Sequence, residues 1–174
     1  QIDAHADLRD ELNGERFSHG TVIRRTLEEN VGKIIQIGVR AYSSEEKEII
    51  ESNGRVKTWF ARDLMSVDSE YSKWNEMINQ IKNLSGPVWL SFDIDGLDGI
   101  LVPATGTPVP GGLSFWGANK IIQELFNAKD SQIIGADINE ISTSPDTNLT
   151  EFSAALIATK IIACHIMSMK GDSQ

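Results

Sequence analysis

Short apolar, β-branched runs alternate along this chain with longer amphipathic segments, and that alternation restricts the fold more than any other feature. Residues 33–39 (KIIQIGV), 56–60 and 87–94 (PVWLSFDI) read as strands, as do residues 132–138. Helical spacing is expected over residues 22–29, over a segment capped by Ser43 or Ser44 and running to Ser52, and over residues 70–84, 114–127 and 148–169. In the last of these, Leu149, Phe152, Leu156, Ala163 and Met167 are spaced for one buried stripe. Residues 95–113, rich in Gly and Pro, read as loop. Strand–helix alternation of this kind predicts an α/β fold, a mostly parallel sheet with helices on both faces. The 174 residues suffice for one domain spanning 1–174. Ligands of such sheets sit beyond the carboxyl ends of the strands.

Two acidic clusters fall at those ends. Asp3-Ala4-His5-Ala6-Asp7 follows a strand remnant, Gln1–Asp3, and Asp93-Ile94-Asp95 closes the most apolar strand. Alternate residues of an extended chain point the same way, so Asp3, His5 and Asp7 are expected to project together, as are Asp93 and Asp95. Four carboxylates and an imidazole at one sheet edge repel one another unless cations neutralise them. Carboxylate-dominated ligation with one imidazole favours Mn²⁺ or a similarly hard ion, and two such ions 3.5–4 Å apart lower the pKa of a shared water. Each cluster alone has a plainer reading, as a turn or helix cap; together, each after an apolar strand, they point to metal.

His19, in Ser18-His19-Gly20-Thr21, is a candidate proton carrier or a helix-start histidine. Glu140 lies just beyond residues 132–138 and reads as a counter-ion for a cationic substrate or as a solvated loop acid. The segment 103–113 (PATGTPVPGGL) lacks the Lys-Ser/Thr ending of a phosphate loop. His165 reads as structural. Cys164 is the only cysteine, which excludes an intrachain disulfide or thiolate cluster and fits a reducing cytosol. The net charge of −9 argues against nucleic acid; it reads first as a solubility feature and otherwise as a field that favours a cationic ligand. No apolar run is expected to reach the roughly 20 residues of a membrane span.

The segments DAHAD, SHGT, SFDIDGLD (91–98), PATGTPVPGGL and GADINEIS (135–142) together resemble the ureohydrolase superfamily, which includes arginase and agmatinase, with agmatinase the nearer likeness. The resemblance implies a three-layer α-β-α, arginase-like fold lacking its first strands, with sequence missing upstream of Gln1. It implies two Mn²⁺ ions sharing an activated water, with Asp3 and Asp93 bridging, Asp7 completing one site, and His5 and Asp95 the other. It further implies attack on a guanidinium carbon with release of urea and an amine. Asp7 and His19 would carry protons, Glu140 would anchor the guanidinium, and Thr107 would line the substrate pocket. The family's additional metal-binding His, in a Gly-Gly-Asp-His segment ahead of DAHAD, has no counterpart in these 174 residues, so the ion leaning on Asp7 is expected to bind more weakly.

Arg9, Glu15 and Phe17 stand where arginases carry groups for an amino-acid head, which makes a decarboxylated guanidino amine such as agmatine the expected substrate, with arginine or guanidino acids as alternatives. A cytoplasmic homo-oligomer, trimer or hexamer, is also implied. A metallophosphoesterase would need further Asn and His ligands, and a nucleotide-sugar transferase leaves DAHAD unexplained. A non-catalytic relative that binds metal incompletely is the alternative from outside enzymology.

Overall fold

The computed structural model describes residues 1–68 and 72–171. Its elements are α1 (Val22–Glu28), β1 (Ile34–Val39), α2 (Ser44–Ser52), β2 (Val56–Phe60), α3 (Ala61–Leu64), α4 (Trp74–Lys82), β3 (Ser85–Asp93), α5 (Phe115–Phe126), β4 (Asp130–Asn139) and α6 (Leu149–Gly171). Short 3₁₀ turns at His19–Thr21 and Ile94–Gly96 complete the order. β1 pairs with β2 and β3 with β4, all parallel. The N-terminal residues join the two pairs, because Ile2 bridges both Ile37 and Phe92 in parallel. Its amide donates to Ser91 O and its carbonyl accepts from Asp93 N. The spatial order is therefore β2–β1–(1–3)–β3–β4, and Asp3 emerges from the middle of the sheet.

Helices pack on both faces. Ile34, Val39 and Val56 point to the side covered by Ile23 and Leu27 of α1. Ile37, Trp59, Leu90 and Phe92 point to the other, against Met77 and Ile81 of α4, Ile121 and Ile122 of α5, and Ile157 and Ile161 of α6. Alternation of side chains along each strand makes this two-sided burial possible. Ser43 caps α2 reciprocally with Glu46: Glu46 N donates to Ser43 Oγ at 3.3 Å and Ser43 N to the Glu46 carboxylate at 2.7 Å. Ser114 caps α5 through Gly117 N.

Three expectations need correction. The helix anticipated over 70–84 runs only from Trp74 to Lys82, and Glu70 lies outside the described residues. The buried stripe on α6 is a different one. Leu149, Phe152, Leu156 and Met167 are 41–72% exposed, and Ala163 is exposed too. The inward face is Thr150, Ser153, Ala154, Ile157 and Ile161, whose smaller residues let the helix approach the sheet and the 95–113 loop; Ser153 Oγ donates to Leu101 O. Lastly, Leu149–Met169 is by length and composition apolar enough to cross a bilayer, contrary to expectation. In this fold it lies along the sheet and α5 with part of its surface buried.

Candidate metal centre

Between the carboxyl ends of β1 and β3 the chain from Asp3 to Asp7 turns through a pocket floor. Asp3 leaves the sheet through Asp3 N→Ile37 O, and Ala4 O then accepts from Arg40 N and Ala41 N beyond β1. On the neighbouring strand, Asp93 is followed by the Ile94–Gly96 turn, where Asp95 N donates to Asp93 Oδ1 at 2.9 Å. Gly96 permits the close approach: a Cβ there would sit 2.8 Å from the Ile2 side chain and 2.9 Å from Asp3 N.

Asp3, His5 and Asp95 bring ligand atoms within 4.8 Å of one another, and Asp93, Asp95 and Glu140 do the same. Asp95 belongs to both groups. It is fully buried, its Oδ1 accepts from Ala4 N at 3.0 Å, and its Oδ2 makes no hydrogen bond among the described residues, with His5 Nδ1 2.9 Å away as an ion-pair partner. Asp3 Oδ1 accepts from His5 N at 2.6 Å and lies 3.6 Å from His5 Nδ1.

Asp7 stands outside both groups but lines the same cavity, and it does not continue the extended segment as anticipated. Its φ of 53° is left-handed, a conformation that costs a non-glycine residue about 1 kcal/mol or more and persists only when its surroundings enforce it. Here they do. Asp7 O accepts from Ile23 N and Arg24 N, filling two of the unpaired amides that open α1. The next amide, Leu8 N, donates to Glu46 Oε1 at 3.0 Å. Glu140 is left-handed as well, with φ 59°, and its carbonyl accepts from Thr105 Oγ1 at 2.9 Å.

A cavity of about 340 Å³ joins these groups. Asp3, His5, Asp7, His19, Asp93, Thr107 and Glu140 all line it, so seven of the eight candidate residues share one space and the eighth, Asp95, lies beneath. Arg9, Leu12, Gly20, Ala41, Tyr42 and Glu46 complete the wall. Of these, Glu46 was detectable in advance from its capping-box spacing to Ser43; Leu12 and Tyr42 carry no sequence signal. A larger, shallower depression of about 440 Å³ near Leu64, Trp74 and Gly117 is lined by no titratable side chain among the described residues.

Crowding of acids shows in their protonation. Burial, reinforced by the charge of Asp3, pushes Asp7 up to about 8. Burial, with Asp3 and Asp95 adding, pushes Asp93 up to about 9. Asp3 is raised, chiefly by burial. Burial also acts upward on Asp95, but His5 and the Ala4 amide outweigh it and its pKa is lowered. The carboxylates beside its ring, Asp3 first and then Asp95, raise His5 to about 10. Carboxyl groups packed this tightly keep protons unless a cation replaces them. The donor set, carboxylate oxygens with one imidazole and an orphaned buried oxygen on Asp95, fits hard divalent ions.

The chain is similar in sequence and fold to known proteins. An agmatinase of Pyrococcus horikoshii is 36% identical over 92% of this chain and 53% of its own length. An N(1)-aminopropylagmatine ureohydrolase of Synechocystis is 34% identical over 100% of the chain and 52% of its own length. The chain thus spans about half the length of these curated relatives. The crystal structure of agmatine ureohydrolase of Thermoplasma volcanium superposes with a TM-score of 0.83 at 30% identity, over 98% of this chain and 55% of that one. The arginase family profile matches residues 1–164, and with these likenesses in fold and sequence the chain belongs to the arginase family.

Proposed function

We propose that this chain carries the hydrolytic centre of a manganese-dependent ureohydrolase that cleaves a guanidino group to urea and an amine, with agmatine, giving putrescine, as the preferred substrate. The observation that carries this reading is the meeting of Asp3, His5, Asp93 and Asp95 under one cavity whose wall also holds Asp7, His19, Thr107 and Glu140.

Asp3, His5, Asp7, Asp93 and Asp95 would hold two Mn²⁺ ions. When bound, such ions screen the carboxylates and bring the pKa of a water to roughly 7. Glu140, fixed by its left-handed backbone and by Thr105, accepts paired hydrogen bonds from the planar guanidinium. That pairing turns the guanidinium carbon toward the carboxylate cluster. The water oxygen bonds to the carbon as one of its protons passes to Asp7. The C–N bond to the amine breaks as Asp7 returns that proton to the departing nitrogen, and the water's second proton leaves by way of His19 as the C=O of urea forms. His19, with Ser18 Oγ 3.4 Å from its Nδ1, exchanges protons between the cavity and solvent. Thr107 borders the path of the substrate chain.

Selection for a cation follows from the wall. With Asp3, Asp7 and Asp93 screened by the ions and Glu46 3.6 Å from Arg9, Glu140 is the cavity carboxylate left to meet a cationic substrate. The polar groups expected for an α-amino acid head are replaced by Arg9, Glu15 and Phe17, of which Phe17 is 83% exposed. We place the activity in the cytoplasm, in a homo-oligomer. Urea release from agmatine, N(1)-aminopropylagmatine, guanidinobutyrate and arginine, measured with added Mn²⁺, tests the assignment. Agmatine turnover with arginine poor supports it; comparable turnover of arginine reverses the substrate choice, and no urea from any of the four overturns the enzymatic reading.

A further inference from the structure

Arg40 directly follows β1, and its guanidinium is turned onto backbone carbonyls from three separate segments. Nη1 donates to Gly38 O at 3.0 Å. Nη2 faces Asp95 O at 2.8 Å and Leu97 O at 3.0 Å. Nε and Nη2 both reach Val109 O, at 3.2 and 2.7 Å. One side chain thus ties the end of β1, the turn that carries Asp95, and the loop that carries Thr107, two residues from Val109.

The surroundings are shaped for this contact. A Cβ at Gly112 would fall 2.6 Å from Arg40 Nη2 and 2.6 Å from Leu97 O, so only glycine leaves room for the guanidinium. Asp98 grips the same strap: its Oδ2 accepts from Gly111 N at 2.7 Å and Gly112 N at 3.0 Å, and its Oδ1 from Ile100 N at 3.0 Å. Arginine holds the carbonyls and aspartate the amides of one loop. A guanidinium offers five donors in a rigid plane; a lysine ammonium is a single point on a flexible stem and cannot span four carbonyls from three segments at once.

We propose that Arg40 is a positioning residue, a lock that fastens the Thr107 loop to the Asp95 turn so that the substrate wall and the metal ligands keep one fixed geometry. Its functional consequence rests on the metal-site reading above; the lock itself does not.

The test is amide hydrogen exchange on metal-free wild type, Arg40→Lys and Arg40→Met, followed by Mn²⁺ titration of the same proteins. In both variants the amides of Gly111, Gly112 and Leu113 are expected to exchange about tenfold faster, while β3 and α5 keep wild-type protection, as in local rather than global opening. Mn²⁺ affinity is expected to fall about tenfold in parallel. Wild-type exchange in the loop of either folded variant overturns the proposal. Uniform acceleration across all elements also overturns it, since that is plain destabilisation. If Arg40→Met does not fold, Arg40→Lys decides, and loss of the whole fold in Arg40→Lys marks Arg40 as a core strut rather than a lock. A wild-type chain that binds no Mn²⁺, with the exchange result intact, removes the metal reading and leaves the lock standing.

Discussion

His5 Nδ1 lies 2.9 Å from Asp95 Oδ2, a buried carboxylate oxygen that makes no hydrogen bond among the described residues. The imidazole follows the N-terminal strand segment and the carboxylate follows β3, and Ile2 is the residue that brings them together by pairing with Phe92. A sheet interior does not assemble such a pair for stability alone, because both groups carry desolvation costs.

Without metal, the protonation of this cluster fixes a direction for stability against pH. Asp7 and Asp93, raised to about 8 and about 9, hold protons in the folded state that the unfolded chain releases near 4. The folded state therefore binds more protons over that range, and stability falls as pH rises. His5, raised to about 10, acts in the same sense: its contribution is complete below the unfolded value near 6.5 and is lost as pH climbs through about 10. Thermal unfolding of metal-free protein should therefore show a melting temperature that falls from pH 6 to 9, where ordinary carboxylates no longer titrate. A rising melting temperature over that window contradicts the assignment.

Metal binding should reverse this behaviour. At pH 7 the three groups are protonated, so filling the site should release roughly two to three protons per chain. Calorimetric titration with Mn²⁺ in buffers of different ionisation enthalpy measures that number directly. Buffer-independent heats are the opposing result.

Glu46 is the hidden support of Asp7. It closes the capping box of α2 and accepts from Leu8 N, all while 3% exposed. Glu46→Ala removes the cap, about 1 kcal/mol, and strands a buried amide, about 1–3 kcal/mol, for a total loss of about 2–4 kcal/mol. Denaturant unfolding reads this out, and a loss below about 0.5 kcal/mol, the range of ordinary surface changes, speaks against the role.

Asp93→Ala should abolish urea release, because Asp93 both faces the cavity and accepts from Asp95 N at 2.9 Å. Retained turnover in that variant removes Asp93 from the proposed centre.

Much of this arrangement was legible in the residues themselves. DID announces its placement because it follows an apolar run, and DAHAD by its alternating Asp, His and Asp after the strand remnant at Ile2; the parallel sheet then obliges both to open at the same edge. α2 was readable from Ser43, since N-caps leave a local signature, and α5 from its helical spacing over 114–127, of which Ser114 proves to be the cap. The phase of α6 was not. Leu149–Met169 is apolar around most of its circumference, so helical spacing finds several equivalent stripes and cannot say which one meets the sheet. Packing chose the stripe with Thr150, Ser153 and Ala154, where small side chains permit close approach. The left-handed turn at Asp7 was equally hidden, because it is imposed by Glu46 and by the start of α1, neither of which adjoins Asp7 in the chain.

Mn²⁺ titration of wild type beside Asp95→Ala tests the central claim most directly, since Asp95 belongs to both ligand groups. Wild type is expected to bind two ions unequally, the weaker being the one that leans on Asp7, which stands apart from both groups, and Asp95→Ala to bind neither tightly. Wild-type affinity retained in Asp95→Ala would contradict the account.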